Sequence, residues 1–138
     1  MKKIVAYLAM GVVLMAGIFF VLFVAALQQG PSVDTLTDRI CQSLRVEPSK
    51  LSFMGGSQRR DPAVFFMLSN SMPEGSDVQV LEGWAREHNG KLFNQLATNY
   101  QIPCAVNEND ILLNYKGDVF DLYITKMSGG YCILYFGF

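Results

Sequence analysis

Three cysteines and one histidine are the residues of this chain whose chemistry is easiest to specify. A cysteine beside a histidine can act as a thiolate nucleophile, because the imidazole takes up the thiol proton. A thiol-dependent enzyme would use Cys104 with His88. Each residue also has a structural interpretation, as half of a disulfide and as the edge of a helical stripe. Thiol catalysis is therefore the weaker alternative, and we expect no enzymatic activity.

The cysteines also allow one disulfide, which leaves the third thiol free. Three pairings are open, and an oxidising compartment would favour forming one of them. Cys132 lies in the most apolar stretch of the chain and fits a small buried hydrophobe. We therefore predict a disulfide between Cys41 and Cys104.

Other chemical patterns are weak. The single His88 cannot build a histidine-based zinc site, because the cysteines and carboxylates have no ligand-like spacing. Nucleophile-elbow, Walker and dinucleotide-binding motifs do not occur. Asp118 and Asp121 lie close together, but nothing further marks them as a glycosidase pair. We expect no metal and no cofactor.

The densest charge cluster is Arg59-Arg60-Asp61, which follows Gly55-Gly56 and precedes Pro62. Arginines in such a turn can bind a carboxylate or an acidic partner, because the guanidinium forms paired hydrogen bonds. A solvated hairpin end explains the same residues, since two adjacent arginines carry no specific spacing. The three residues are kept as candidate interaction residues.

All of these groups follow an apolar run, Ile4–Leu27, that contains no charge. As a helix it would extend about 36 Å, which exceeds a hydrocarbon core of roughly 30 Å. The apolar core of a signal peptide is typically about 7–15 residues long. We therefore predict an uncleaved transmembrane anchor at 4–27, with a secreted form cleaved near Ala26 as the alternative.

Charge predicts the orientation of that anchor. Lys2 and Lys3 precede the run and no cation follows it closely, so the positive-inside rule keeps residues 1–3 in the cytoplasm. After a short linker, 28–32, residues 33–138 would form an exported domain on the periplasmic side of an inner membrane. That domain has nine Lys and Arg against twelve Asp and Glu, which disfavours nucleic acid and anionic lipid as partners.

The exported stretch reads as one mixed domain. Ser32 can cap a helix whose apolar residues recur at Val33, Leu36, Ile40 and Leu44. A hairpin follows, with strands at 50–54 and 63–68, and the second strand is apolar on both faces.

Ser76 and Gln79 fit a capping box, which predicts a second helix that ends at Asn89-Gly90, with a shorter helical stretch behind it. Three strands then follow at 110–115, 119–125 and 131–138. The middle strand alternates, which predicts one buried and one wetter face. The predicted fold is α+β, in the order α-β-β-α(α)-β-β-β, with helices packed on a mainly antiparallel sheet.

The final strand has no polar face, so it is either central in the sheet or covered by a partner. Tyr131, Tyr135 and Phe138 are its candidate interaction residues. We expect a membrane-anchored accessory or scaffold protein whose final strand pairs with a protein partner. The alternative is an immunity or inhibitor protein that blocks a toxin or hydrolase at the membrane surface.

Overall fold

The computed structural model describes residues 1–69, 72 and 77–138. Within them the chain forms three α-helices, one 3-10 turn and six strands, which confirms the predicted α+β class. The helices are α1 (Lys2–Gln28), α2 (Val33–Leu44) and α3 (Gly83–Asn99), and the 3-10 turn is Pro48–Lys50. The strands are β1 (Leu51–Ser57), β2 (Ala63–Ser69), β3 (Gln79–Val80), β4 (Leu112–Lys116), β5 (Phe120–Met127) and β6 (Gly130–Gly137).

Helix α1 is the long apolar element at the N-terminus. Its 27 residues correspond to about 40 Å of helix. Its most apolar window has a mean hydropathy of 2.8, and none of that window is buried against the rest of the protein. By length and composition α1 fits a membrane anchor or a signal sequence.

Helix α2 begins where the sequence predicts. The hydroxyl oxygen of Ser32 accepts a hydrogen bond from the Thr35 amide, which satisfies one of the free amides of the first turn. The helix ends at Leu44 and is capped by Arg45, whose φ of 55° is left-handed. Between these ends the apolar stripe Leu36, Ile40 and Leu44 is fully buried.

The six strands form one antiparallel sheet in the order β1-β2-β6-β5-β4-β3. Strand β6 therefore lies inside the sheet, hydrogen-bonded to β2 on one side and to β5 on the other. Its lack of a polar face follows from this central position, and both of its backbone edges are occupied. The predicted pairing of the final strand with a partner is wrong, because a paired strand has no free edge to offer.

Both faces of the sheet are covered. Helix α2 packs over one face, and the core between this helix and the sheet includes Phe66, Leu122 and Ile133. Helix α3 and the segment 100–111 contribute to the core on the other face, which includes Phe65, Leu112 and Leu134. The predicted wet face of the middle strand is corrected here: Tyr123 is 8% exposed and Thr125 is 1% exposed, because the second layer covers them.

Helix α3 differs from the predicted helix both at its start and at its end. It begins at Gly83 rather than near Ser76, which lies outside the described residues, and Gln79 belongs to β3. It also continues through Asn89-Gly90 to Asn99. The Asn89 amide donates to the Ala85 carbonyl inside the helix at 2.8 Å. Gly90 is buried within the helix, where an added Cβ would lie 3.1 Å from the Arg86 guanidinium and 3.9 Å from Val106, and it does not end the helix.

The pairing of the strands defines two ends of the sheet. The anchor end carries the β1–β2 turn at 58–62, the β4–β5 turn at 117–119 and Gly137 of β6. The far end carries Ser69, Gly130 and Met127, which lie in register across β2, β6 and β5. The seven residues of β2 separate these ends by roughly 23 Å.

Candidate interaction surfaces

The cysteines are connected differently from the prediction. The disulfide joins Cys104 to Cys132, with 6.5 Å between their Cα atoms, and Cys41 is free. Cys132 shares the α3 face of the sheet with Cys104, whereas Cys41 lies on α2 across the sheet. The predicted Cys41–Cys104 bond is therefore wrong, since the sheet separates the two residues. The sequence did contain one signal: side chains alternate along a strand, which places Cys132 and Leu134 on the same face of the sheet. In the structure this is the face that Cys104 contacts.

The Cys104–His88 pair considered for thiol catalysis has no free thiol. Cys104 is in the disulfide and is 6% exposed, so it offers no thiolate. His88 lies on α3 and stacks on Trp84, with 4.7 Å between ring centroids and 12° between planes. The free thiol is Cys41, and burial followed by the nearby Asp38 charge raises the pKa of this thiol. A raised pKa lowers the thiolate population.

The two carboxylates of the β4–β5 region differ in environment. Asp118 is exposed in the turn, whereas Asp121 is half-buried on β5. Burial raises the pKa of Asp121, and this effect is opposed by the charge of Lys116 and by hydrogen bonds from Tyr123 and the Gly117 amide. Among the described residues no group of three or more His, Cys, Asp or Glu side chains could hold a metal ion.

The predicted charge cluster lies at the hairpin turn, and the turn touches the linker behind α1. Arg59, Arg60 and Asp61 are exposed there. The backbone of Gln29 pairs with that of Arg59 as an isolated antiparallel bridge. A Cβ added at Gly30 would overlap the carbonyl oxygens of Gln58 and Arg59, so the linker and the turn are in close contact. The anchor end of the sheet is thus joined directly to the end of α1.

A cleft of about 220 Å³ opens beside this junction. Its cationic walls are Arg60 from the turn and Arg39 from α2, and its remaining lining includes Pro31, Val119, Tyr135 and Phe138. Arg39 Nη1 donates to the hydroxyl of Tyr135 at 2.7 Å. Within the part of the chain that the structure describes, no carboxylate oxygen lies within 4.0 Å of either guanidinium. Sequence reasoning missed Arg39 because it lies 21 positions before Arg60 in an unremarkable helix.

The three candidate interaction residues of the final strand lie in different environments. Tyr135 is fully buried beneath α2, where its ring stacks on Phe120 at 4.8 Å. Tyr131 is half-buried, and Phe138 is 63% exposed at the anchor end. They do not form one surface.

A second exposed surface is a corner of the domain beyond β4. Three apolar side chains are exposed there: Val80 of β3 by 56%, Trp84 of α3 by 75% and Ile111 by 62%. Val80 pairs with Leu113, and the Leu81 amide donates to the Leu112 carbonyl, which brings the chain before Trp84 beside Ile111. We call Val80, Trp84 and Ile111 the tryptophan corner. The available sequence signal was that Trp84 stands beside the helical apolar stripe rather than on it.

Comparison of the chain with protein-family models, with curated proteins and with solved structures finds no match.

Proposed function

We propose that this protein is a membrane-anchored accessory protein whose extracytoplasmic domain binds a protein partner through the tryptophan corner. The observation that carries the proposal is the 75% exposure of Trp84 beside two other exposed apolar side chains. A tryptophan is the side chain that most often supplies binding energy in protein interfaces.

The placement of the domain rests on charge and on redox chemistry. Lys2 and Lys3 favour a cytoplasmic N-terminus, which puts everything after α1 on the opposite side of the membrane. The Cys104–Cys132 disulfide supports that side, because such bonds persist in oxidising compartments. The inner membrane of a bacterial-type envelope, with a periplasmic domain, satisfies both conditions.

The binding mode follows from the sheet edge. Strand β3 is a two-residue edge strand, and both of its side chains are exposed. Its outer backbone edge can receive an extended segment of another protein, as in strand addition. Strand β6, which the sequence favoured for this role, is enclosed by β2 and β5. The proposed pairing with a partner is therefore at the outer edge of β3, which lies on the other side of β4 from β5.

Charge specifies the partner further. Asp77, Glu82 and Glu87 are exposed around the tryptophan corner, although Glu87 also pairs with Lys91 at 3.1 Å. A complementary segment would carry apolar side chains for Trp84 and basic side chains for these carboxylates. Through β4, strand β3 lies in register with Tyr123 and Ile124 of β5, so a segment bound along β3 would lie roughly 10–13 Å from the anchor end of the sheet.

Site-specific crosslinking in intact cells tests the proposal. A photoreactive phenylalanine analogue is placed at position 84, at position 111 and, as a control on the same helix, at the exposed position 95. We expect one discrete protein adduct from positions 84 and 111 and none from position 95. Trp84→Ala should weaken binding of the identified partner by about 30-fold or more, since interface tryptophans contribute at least about 2 kcal/mol.

Equal crosslinking at all three positions, or none at 84 and 111, would show that the corner is not a partner site. The identity of the adduct also separates the two functional classes. A resident membrane protein supports an accessory role, whereas a toxin or hydrolase would identify an inhibitor.

A further inference from the structure

We infer that the cleft between Arg39 and Arg60 binds the phosphate of a phospholipid headgroup in the membrane that α1 enters. The inference rests on the proposed membrane placement of α1 and is independent of the tryptophan corner. It assigns a ligand to the cleft, which the partner proposal leaves without a role.

The donor capacity of the cleft exceeds what the protein uses. A guanidinium has five N–H donors, and Arg39 uses one of its own on the Tyr135 hydroxyl. Arg60 makes no side-chain hydrogen bond or ion pair with any other residue that the structure describes. Two guanidinium groups that line one small cleft repel each other, and a bound anion removes that repulsion. Phosphate suits the pair, because its oxygens accept two parallel N–H bonds from one arginine.

The positions of the cleft and the anchor favour a lipid as the source of that phosphate. Pro31 lines the cleft and follows Gln28, the last residue of α1, by only three positions. Three residues reach at most about 11 Å. The headgroup region of a bilayer extends roughly 5–8 Å beyond the hydrocarbon core on each side. The cleft therefore opens at the depth where headgroup phosphates lie.

Apolar side chains at the mouth of the cleft fit the same ligand. Phe138 is 63% exposed and Val119 is 50% exposed, and the Phe138 amide donates to the Val119 carbonyl at 3.1 Å. These neighbouring side chains can contact the glycerol and upper acyl region, while the arginines hold the phosphate. The net negative charge of the domain predicted against an anionic-lipid binder, but the cleft itself presents two guanidinium groups, and no carboxylate oxygen of the described residues lies within 4.0 Å of either.

The test uses the full-length chain purified from membranes in a maltoside detergent, with phosphatidylglycerol as the added lipid and native mass spectrometry as the measurement. Arg60→Gln removes an exposed guanidinium that makes no hydrogen bond or ion pair with any other residue in the described part of the chain, so the fold should persist. Arg45→Gln is the matched control, because Arg45 is exposed at the far end of α2. We expect the first-lipid affinity to fall by about tenfold or more in Arg60→Gln and to stay unchanged in Arg45→Gln.

Two further measurements complete the test. Arg39→Lys keeps the charge and one donor for Tyr135, so its affinity should lie between those of the wild type and Arg60→Gln. Millimolar inorganic phosphate should leave the bound lipid in place. Equal lipid affinity in all variants would overturn the site, and displacement of lipid by phosphate would assign the cleft to the free ion instead. Alkaline extraction of membranes reports separately whether α1 is integrated, so failure of the anchor and failure of the cleft are distinguishable.

Discussion

The side-chain amide of Asn94 forms two hydrogen bonds with the backbone of Val106. Its Nδ2 donates to the Val106 carbonyl at 2.9 Å, and its Oδ1 accepts from the Val106 amide at 2.7 Å. This pairing holds the irregular segment 100–111 on α3, where Ile102, Cys104 and Val106 complete the core. Arg86 supports the same segment by donating to the Asp110 carbonyl at 2.8 Å.

Replacement of Asn94 by alanine should destabilise the domain by about 1–3 kcal/mol, because it leaves a backbone donor and acceptor of Val106 without partners. The measurement is the urea midpoint of the detergent-solubilised chain at constant denaturant slope. Gln95→Ala, an exposed change on the same helix, is the control and should leave the midpoint unchanged. A midpoint for Asn94→Ala that equals the control would show that the segment is held by its other contacts.

Loss of the disulfide should cost more than loss of the free thiol. The Cys104–Cys132 bond closes a 28-residue separation, for which the chain-entropy model gives roughly 3.5 kcal/mol. Cys104→Ala should therefore lower the free energy of unfolding by about that amount, whereas Cys41→Ala should change it much less. Non-reducing peptide mapping provides the direct observation. A mapped bond from Cys41 to either other cysteine would contradict the structure.

Asp121 should make stability fall as the pH rises. Its pKa in the folded protein is raised above 3.8, mainly by burial, so the folded state binds its proton more tightly than the unfolded state does. Its stabilising contribution is complete below the unfolded pKa and is lost as the pH rises through the folded pKa. Asp121→Asn should therefore be more stable than the wild type at neutral pH, and this advantage should shrink below pH 3.8.

The comparison is made by measuring unfolding of both proteins across that pH range. Asp118→Asn is the control, because it removes an exposed carboxylate from the adjacent turn. A difference between wild type and Asp121→Asn that is the same at every pH would contradict the predicted linkage.

Gly30→Ala should loosen the junction between the linker and the hairpin turn, because its Cβ would overlap backbone carbonyls that cannot move without shifting the strand end. We expect faster proteolysis and faster amide exchange at residues 29–32, with little change in the core of the sheet. Gly11→Ala is the control, since a Cβ at Gly11 meets no neighbour within 4 Å. Unaltered exchange at the linker in Gly30→Ala would show that the contact contributes nothing to holding the domain.

The sequence was informative wherever a local pattern alone decides the structure. The Ser32 cap, the α2 stripe and the turns between the last three strands all depend on near neighbours, and the α+β class followed from them. Asn89-Gly90 misled the prediction because the residues after it, Phe93 and Ala97, are buried in the core, and this tertiary packing keeps α3 helical through the pair. The two-residue strand β3 was missed for a similar reason, since it is defined by its pairing with β4.

The candidate surfaces show the same division. Arg60 was identified from its local charge cluster, but its partner in the cleft, Arg39, could be found only once α2 was placed on the sheet. Cys104 was correctly selected as a disulfide residue, although its partner required knowledge of which face Cys132 occupies. The sequence did not distinguish the burial of Tyr131, Tyr135 and Phe138. Their exposed fractions differ because β6 is central in the sheet and only its ends approach solvent.

The central position of β6 has a consequence for how the protein is made. Strands β1 and β2 form one hairpin, β3, β4 and β5 form another unit, and β6 is the strand that joins them. Because β6 follows all the others in the chain, synthesis must reach Gly130–Gly137 before the two halves can become one sheet. Until then β2 and β5 each keep a bare, apolar edge, so a ribosome that stalls or a chain that is cut before β6 releases an aggregation-prone fragment.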